Sequence, residues 1–141
     1  MNEELINNLP PDAKKEFIKY ALKLSEKKTK SKVHDDFLSF VKHVWPEFIE
    51  GKHHKEIADK FNKLAQGKIK RLIINMPPRH TKSEFASFLL PSWMVGRRPD
   101  LKIIQTTHTT ELAIRFGRKA KNLMDSQEYK QVFQPRLRED S

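Results

Sequence analysis

Ile69-Lys70-Arg71-Leu72-Ile73-Ile74-Asn75-Met76-Pro77-Pro78-Arg79-His80-Thr81-Lys82-Ser83 is the stretch on which the reading of this chain turns. Ile69 to Asn75 is short, apolar and β-branched, the pattern of a strand covered on both faces. Met76 to Ser83 then reads as a proline-rich turn. From Lys82 to about Leu90 the residues Phe85, Ala86, Phe88, Leu89 and Leu90 predict a helix that is apolar nearly all round, and Pro91 is expected to end or kink it.

Downstream, Gly96 to Asp100 is a polar turn and Leu101 to Thr107 (LKIIQTT) has strand character again. A helix follows over roughly Thr110 to Asp125, with Thr109 near its N-cap and Leu112, Ala113, Phe116, Ala120, Leu123 and Met124 on one face. Upstream, Phe37, Phe40, Val41, Val44, Trp45 and Phe48 mark an apolar helical face cut at Pro46. A helix from about His53 to Ala65 buries Ile57, Ala58, Phe61 and Leu64, with Gly67 where a left-handed cap is needed. Pro11 to about Leu24 reads as an amphipathic helix, and Ser25 to Lys32 (SEKKTKSK) as a solvated linker or frayed helix end.

Strand, turn, helix, strand, helix is parallel α/β grammar, since parallel neighbours are joined by a crossover helix. The expected fold is therefore an α/β, P-loop NTPase-like parallel sheet, incomplete at two strands and preceded by N-terminal helices. Residues 1–32 form an N-terminal helix and basic linker, and residues 33–141 the domain itself.

With 141 residues, of which 37% are hydrophobic, the chain holds one modest core. A net charge of +10 favours polyanionic partners, nucleic acid first, although basic proteins also exist for solubility alone. No cysteine is present, which excludes disulfides and thiolate metal sites and fits a reducing compartment. Neither a signal peptide nor an apolar span is visible, so a cytoplasmic protein with no membrane partner is expected.

A turn between a buried strand and a helix is where a phosphate-binding loop belongs. Only Lys82 and Ser83 fit the usual glycine-rich pattern, because Met76 and Thr81 take both glycine positions. Such a loop works by aiming backbone N–H groups and a helix N-terminus at phosphate oxygens. Pro77 and Pro78 have no N–H, so the cradle would run from Arg79 through His80, Thr81, Lys82 and Ser83. Lys82 would neutralise β- and γ-phosphates, the Ser83 hydroxyl would coordinate Mg²⁺, and Arg79 could present a charged fork to the γ-phosphate. Thr81 is the main objection, since a β-branched residue suits a positive φ poorly. The alternative is a basic turn that only caps a helix.

The run from Arg71 to Phe133 resembles the N-terminal ATPase region of tailed-phage large terminases, whose deviant Walker A loop is of the PPRHGKSE type; here Thr81 replaces the glycine. The resemblance covers Phe37 to Ser141 and takes in the histidine pair His53-His54. It implies the ATP-binding portion of a viral DNA-packaging motor that moves the genome into a procapsid, with ATP and Mg²⁺ as cofactors. Its partners would be double-stranded DNA, small terminase subunit and portal protein, in a homo-oligomeric ring at the procapsid portal in the host cytoplasm. It also directs attention to Trp45, Pro46 and His53 for the adenine end, and to Gln105-Thr106-Thr107 for coupling nucleotide state to DNA grip. Arg115, Arg118, Lys119 and Lys121 are candidates for DNA phosphates, against the plainer reading of a solvated helix face. Neither apolar run ends in an acid, so Walker B and a catalytic glutamate are missing, as is any nuclease-like carboxylate cluster. Nucleotide binding without hydrolysis is the activity expected of these residues, as part of a longer ATPase. Competing readings are another helicase-like P-loop ATPase and a basic nucleic-acid-binding module.

Overall fold

In the computed structural model the described residues are 10–133, and the chain divides into two units, Met1–Ser31 and Lys32–Ser141. Helix α1, Pro11–Asp35, starts with proline and Asp12 in its first turn, where a missing N–H and a negative charge are both favourable. It does not give way to a linker at Ser25. The Glu and Lys residues of that stretch are good helix formers, and no glycine or proline interrupts them. Ser25 Oγ and Thr29 Oγ1 donate back to the carbonyls of Leu22 and Ser25 (2.8 and 2.9 Å) and stay on the helix. Within the first unit Ile18, Tyr20, Leu22 and Leu24 are exposed.

The second unit begins with a polar clamp. Asp36 caps helix α2, Phe37–Val44, by accepting the Ser39 N–H at 2.7 Å. Asn62, on helix α3 (Lys52–Ala65), accepts the Phe37 N–H at 2.9 Å and donates to Asp36 at 2.8 Å, fastening the two helices together. Burial would raise the Asp36 carboxyl, but the hydrogen bonds from Ser39 and Asn62 outweigh it and hold the group below its ordinary range. Helix α3 stops as its sequence requires. Gly67 takes φ 73°, and the N–H groups of Gly67 and Lys68 return to the carbonyls of Leu64 and Lys63 (both 2.9 Å), a paired C-terminal cap.

Helix α4, Lys82–Glu84, runs without a break into a π-helical turn, Phe85–Leu89, and on into α5, Leu90–Arg97. Pro91 therefore does not end the helix. It lacks an N–H and would crowd the carbonyl four residues back in a regular ladder. The wider turn, in which the Leu90 N–H reaches the Phe85 carbonyl, accommodates it. Helix α6, Thr110–Asp125, begins at the expected Thr109 cap, and α7, Gln127–Val132, follows after Ser126.

These helices close on aromatic residues. Phe37 has no exposed surface and meets Phe61, Phe85 and Trp93 edge-on at centroid distances of 5.1, 5.4 and 5.5 Å. The Trp93 indole N–H satisfies the carbonyls of His34 and Val33 (3.1 and 3.3 Å). Tyr129, whose phenol is pushed up by burial, donates to the Ser92 carbonyl at 2.7 Å.

The expected parallel α/β sheet is not there: among the described residues all regular structure is helical and no strand is present. Ile69–Asn75 and Leu101–Thr107 pair neither with one another nor with another described segment. Leu72, Ile74 and Met76 lean against the core while Ile73 is 86% exposed, and Ile104 is 91% exposed. The apolar, β-branched composition that suggested strands covered on both faces is a local property, whereas a ladder needs a neighbouring backbone. Among the described residues no helix is long and apolar enough to cross a membrane.

Gly96 sits where α5 meets α7. A Cβ there would fall 2.6 Å from Tyr129 Oη and 2.7 Å from Phe133 Cγ, whereas one at Gly117, inside α6, would meet nothing within 4 Å. Gly96→Ala should therefore lower stability by about 1–3 kcal/mol, the usual cost of overpacking. Gly117→Ala should raise it by about 0.5–1 kcal/mol by removing backbone freedom from a helix interior. Urea unfolding of both variants checks the pair of opposite signs.

Candidate anion-binding loop

The turn Met76–Ser83 leads into α4 through two left-handed residues, Arg79 (φ 66°) and Thr81 (φ 58°). Thr81 is the N-cap residue of α4, with ψ 6° in place of the extended backbone usual at a cap. Its hydroxyl makes no cap hydrogen bond. It is committed elsewhere, donating to the His80 carbonyl at 2.7 Å and lying 2.6 Å from His54 Nε2. The first helical N–H groups, those of Lys82, Ser83 and Glu84, have no carbonyl behind them in the helix, and Phe85 is the first whose N–H returns, to the Thr81 carbonyl at 2.9 Å. A threonine that normally caps such donors thus leaves them uncapped, at the positive end of a helix that continues to Arg97.

Charged and polar side chains surround this end. Lys82 Nζ donates to the Met76 carbonyl at 3.3 Å, spanning the loop from its end to its start. Lys82 and Ser83 also line a cavity of about 410 Å³ walled by Phe61, Leu64, Leu72, Ile74 and Leu90, within the size range of small-molecule sites. Arg79 and His80 are exposed, the His80 Nδ1–H donating to the Pro78 carbonyl (2.9 Å). Arg79, His80, Thr81, Lys82 and Ser83 are thus contiguous around the uncapped helix start.

His53 joins them, its ring centroid 5.8 Å from that of His80. Its buried Nε2 has no hydrogen-bond partner among the described residues. Trp45 does not join them. It stacks on Phe48 at 5.5 Å and lines a separate cavity of about 240 Å³ with Phe88, Leu89 and Leu123. Of the cations on α6, Arg115 and Arg118 are exposed, Lys121 is half-buried, and Lys119 is held by both carboxylate oxygens of Glu84 (2.8 and 2.9 Å). Gln105 and Thr106 are exposed, and Thr107 Oγ1 donates to the Thr109 carbonyl at 2.6 Å. Among the described residues no three His, Asp or Glu side chains are grouped to hold a metal ion.

The residue missed by sequence reasoning is His54, which entered only as the second member of a histidine pair. It is 5% exposed and packed between the rings of Phe48 (4.8 Å) and Phe85 (5.1 Å). Its Nδ1 accepts the Gly51 N–H at 2.9 Å, closing the start of α3, while Nε2 faces Thr81, 27 residues away in sequence. No periodicity links positions that far apart; the one local signal is a histidine three residues after Gly51, at a helix start.

No family model matches this chain, and no curated protein or solved structure is found to be similar to it.

Burial is the largest influence on His54 and pushes its pKa below the ordinary 6.5; nearby His53 and His80 push the same way, and Glu50 opposes them. The folded state therefore binds this proton less readily than the unfolded chain. The stability that goes with a neutral His54 is complete above about pH 6.5 and is lost as pH falls towards the lowered value. Urea unfolding at pH 7.5 and at stepwise lower pH should show stability falling through this window, with a shallower fall in His54→Gln.

Proposed function

We propose that this chain is the ATP-binding portion of a viral DNA-packaging motor of the terminase large-subunit class, in which Arg79–Ser83 grips the phosphates of ATP. The observation that carries this reading is Thr81. At the position where the resembling family has glycine, this chain keeps a left-handed backbone, φ 58°, in a β-branched residue that disfavours it. A turn that merely capped a helix would have no use for that conformation, since an extended threonine would cap it directly. The loop acts through backbone N–H groups and a helix end, and neither needs a strand ladder.

In this reading Lys82 exchanges the Met76 carbonyl for β- and γ-phosphate oxygens, and Arg79 lies exposed beside the same end for the γ-phosphate. Ser83 supplies a hydroxyl to Mg²⁺, whose other ligands are phosphate and water oxygens. For the adenine end the reading looks to the His53 ring, whose Nε2 is buried without a partner among the described residues, and to the apolar cavity lined by Lys82 and Ser83. With no acid at either apolar run, these residues bind nucleotide, and hydrolysis belongs to the larger ATPase of which they form a part. DNA phosphates fall first to the exposed Arg115 and Arg118, whereas Lys119 serves α4 through Glu84 and Lys121 is half-buried. Small terminase, portal protein and a ring of further copies at the procapsid in the host cytoplasm complete the proposed setting.

Calorimetry with a Mg²⁺-bound, non-hydrolysable ATP analogue tests this. Lys82→Ala should weaken binding by about 10- to 100-fold, the worth of a charge-assisted contact, while leaving duplex DNA affinity and its salt dependence nearly unchanged. If the same variant leaves nucleotide affinity alone but flattens the salt slope for DNA, the chain is a nucleic-acid-binding module instead.

A further inference from the structure

The left-handed Thr81 lies in a single directed chain of hydrogen bonds that begins outside the loop. The Gly51 N–H donates to His54 Nδ1 (2.9 Å), so Nδ1 carries the lone pair and the ring proton sits on Nε2. That proton points at Thr81 Oγ1, 2.6 Å away, and the hydroxyl passes its own proton to the His80 carbonyl at 2.7 Å. Each group donates once in the same direction, and no other ring tautomer satisfies both ends. The Phe48 and Phe85 rings leave His54 little freedom to turn. The hydroxyl drawn to His54 is also the group that would otherwise cap the N–H of Ser83 or Glu84.

We propose that His54 is a positioning residue for the phosphate loop: by engaging the Thr81 hydroxyl it keeps residue 81 left-handed and the α4 N–H groups free, a task that glycine at position 81 would make unnecessary. The phosphate part of this inference rests on the nucleotide-binding reading above; the conformational part does not. The relation is between two side chains on separate elements, α3 and the α4 start, so it is testable as a dependence of one on the other. A residue that only filled the core would show no such dependence.

The ligand-free experiment is NMR of the full chain. The Hα–HN contact of residue 81, strong at positive φ, should be strong in the wild type and weakened in His54→Ala. Thr81→Val, which keeps the shape and removes the hydroxyl without touching the core, should weaken it equally, and Thr81→Ser should retain it. A strong contact retained in Thr81→Val and in folded His54→Ala would overturn the proposal, because the backbone would then hold itself.

The binding experiment uses inorganic pyrophosphate with Mg²⁺ as probe. His54→Ala should lose about tenfold in affinity, the order of one buried hydrogen bond. The same change in a Thr81→Gly background should lose little. Equal losses in both backgrounds overturn the proposal and make His54 plain core. No pyrophosphate binding by the wild type would remove the nucleotide reading and the phosphate part of the inference, leaving the conformational role of His54 to be decided by NMR.

Discussion

Phe37 is the point at which the second unit is tied together. Its ring is the common wall for Phe61 of α3, Phe85 of the π-helical turn and Trp93 of α5, and its own N–H is taken by Asn62. One residue at the first turn of α2 thus sets the spacing between α3 and the helix that carries the loop. That spacing is what lets His54, on α3, meet Thr81, just before α4. The candidate site is a consequence of aromatic packing some distance from it: the loop has few apolar contacts of its own and takes its shape from the two helices beside it.

The helices were legible because their signals are local. The apolar stripe of His53 to Ala65, the stop at Gly67, the break before Pro46 and the cap at Thr109 each depend on residues within a turn or two. The sheet was misread because IKRLIIN and LKIIQTT carry strand composition without any local sign of a partner, and a ladder is a relation between distant segments. The end of α1 was misread for a different reason. A run of Lys, Glu and Ser with no apolar residue looks like a linker by composition, yet the same residues propagate a helix already begun.

The candidate site was legible in part as a cluster of side chains. Arg79 to Ser83 are adjacent in sequence, so finding them together around a helix start required only the turn to be recognised. His54 was not, because its role lies in a contact across 27 residues that only packing creates. Lys119 shows the converse. Its spacing with Arg115 and Arg118 suggested a cationic face, but Glu84 on a different helix claims it, and its ammonium also lies 5.1 Å over the Phe88 ring. Charge counted along one helix overstates what remains for a partner when a neighbouring helix supplies an acid.

The wide turn at Phe85–Leu89 also bears on inheritance. A π-turn amounts to one extra residue threaded into an α-helix, and each residue turns the helix by about 100°. The residues before it, Lys82 to Glu84, and those after it, such as Trp93, are therefore out of phase by roughly that angle relative to a regular helix of the same sequence. Pro91 pins the extra residue, since the turn cannot close to regular spacing without crowding the proline ring. A lineage that exchanged Pro91 for a residue with a free N–H would be at liberty to close this turn: with one residue lost the loop would keep its direction, and with none lost it would swing by about 100° while the core behind it stayed as it was.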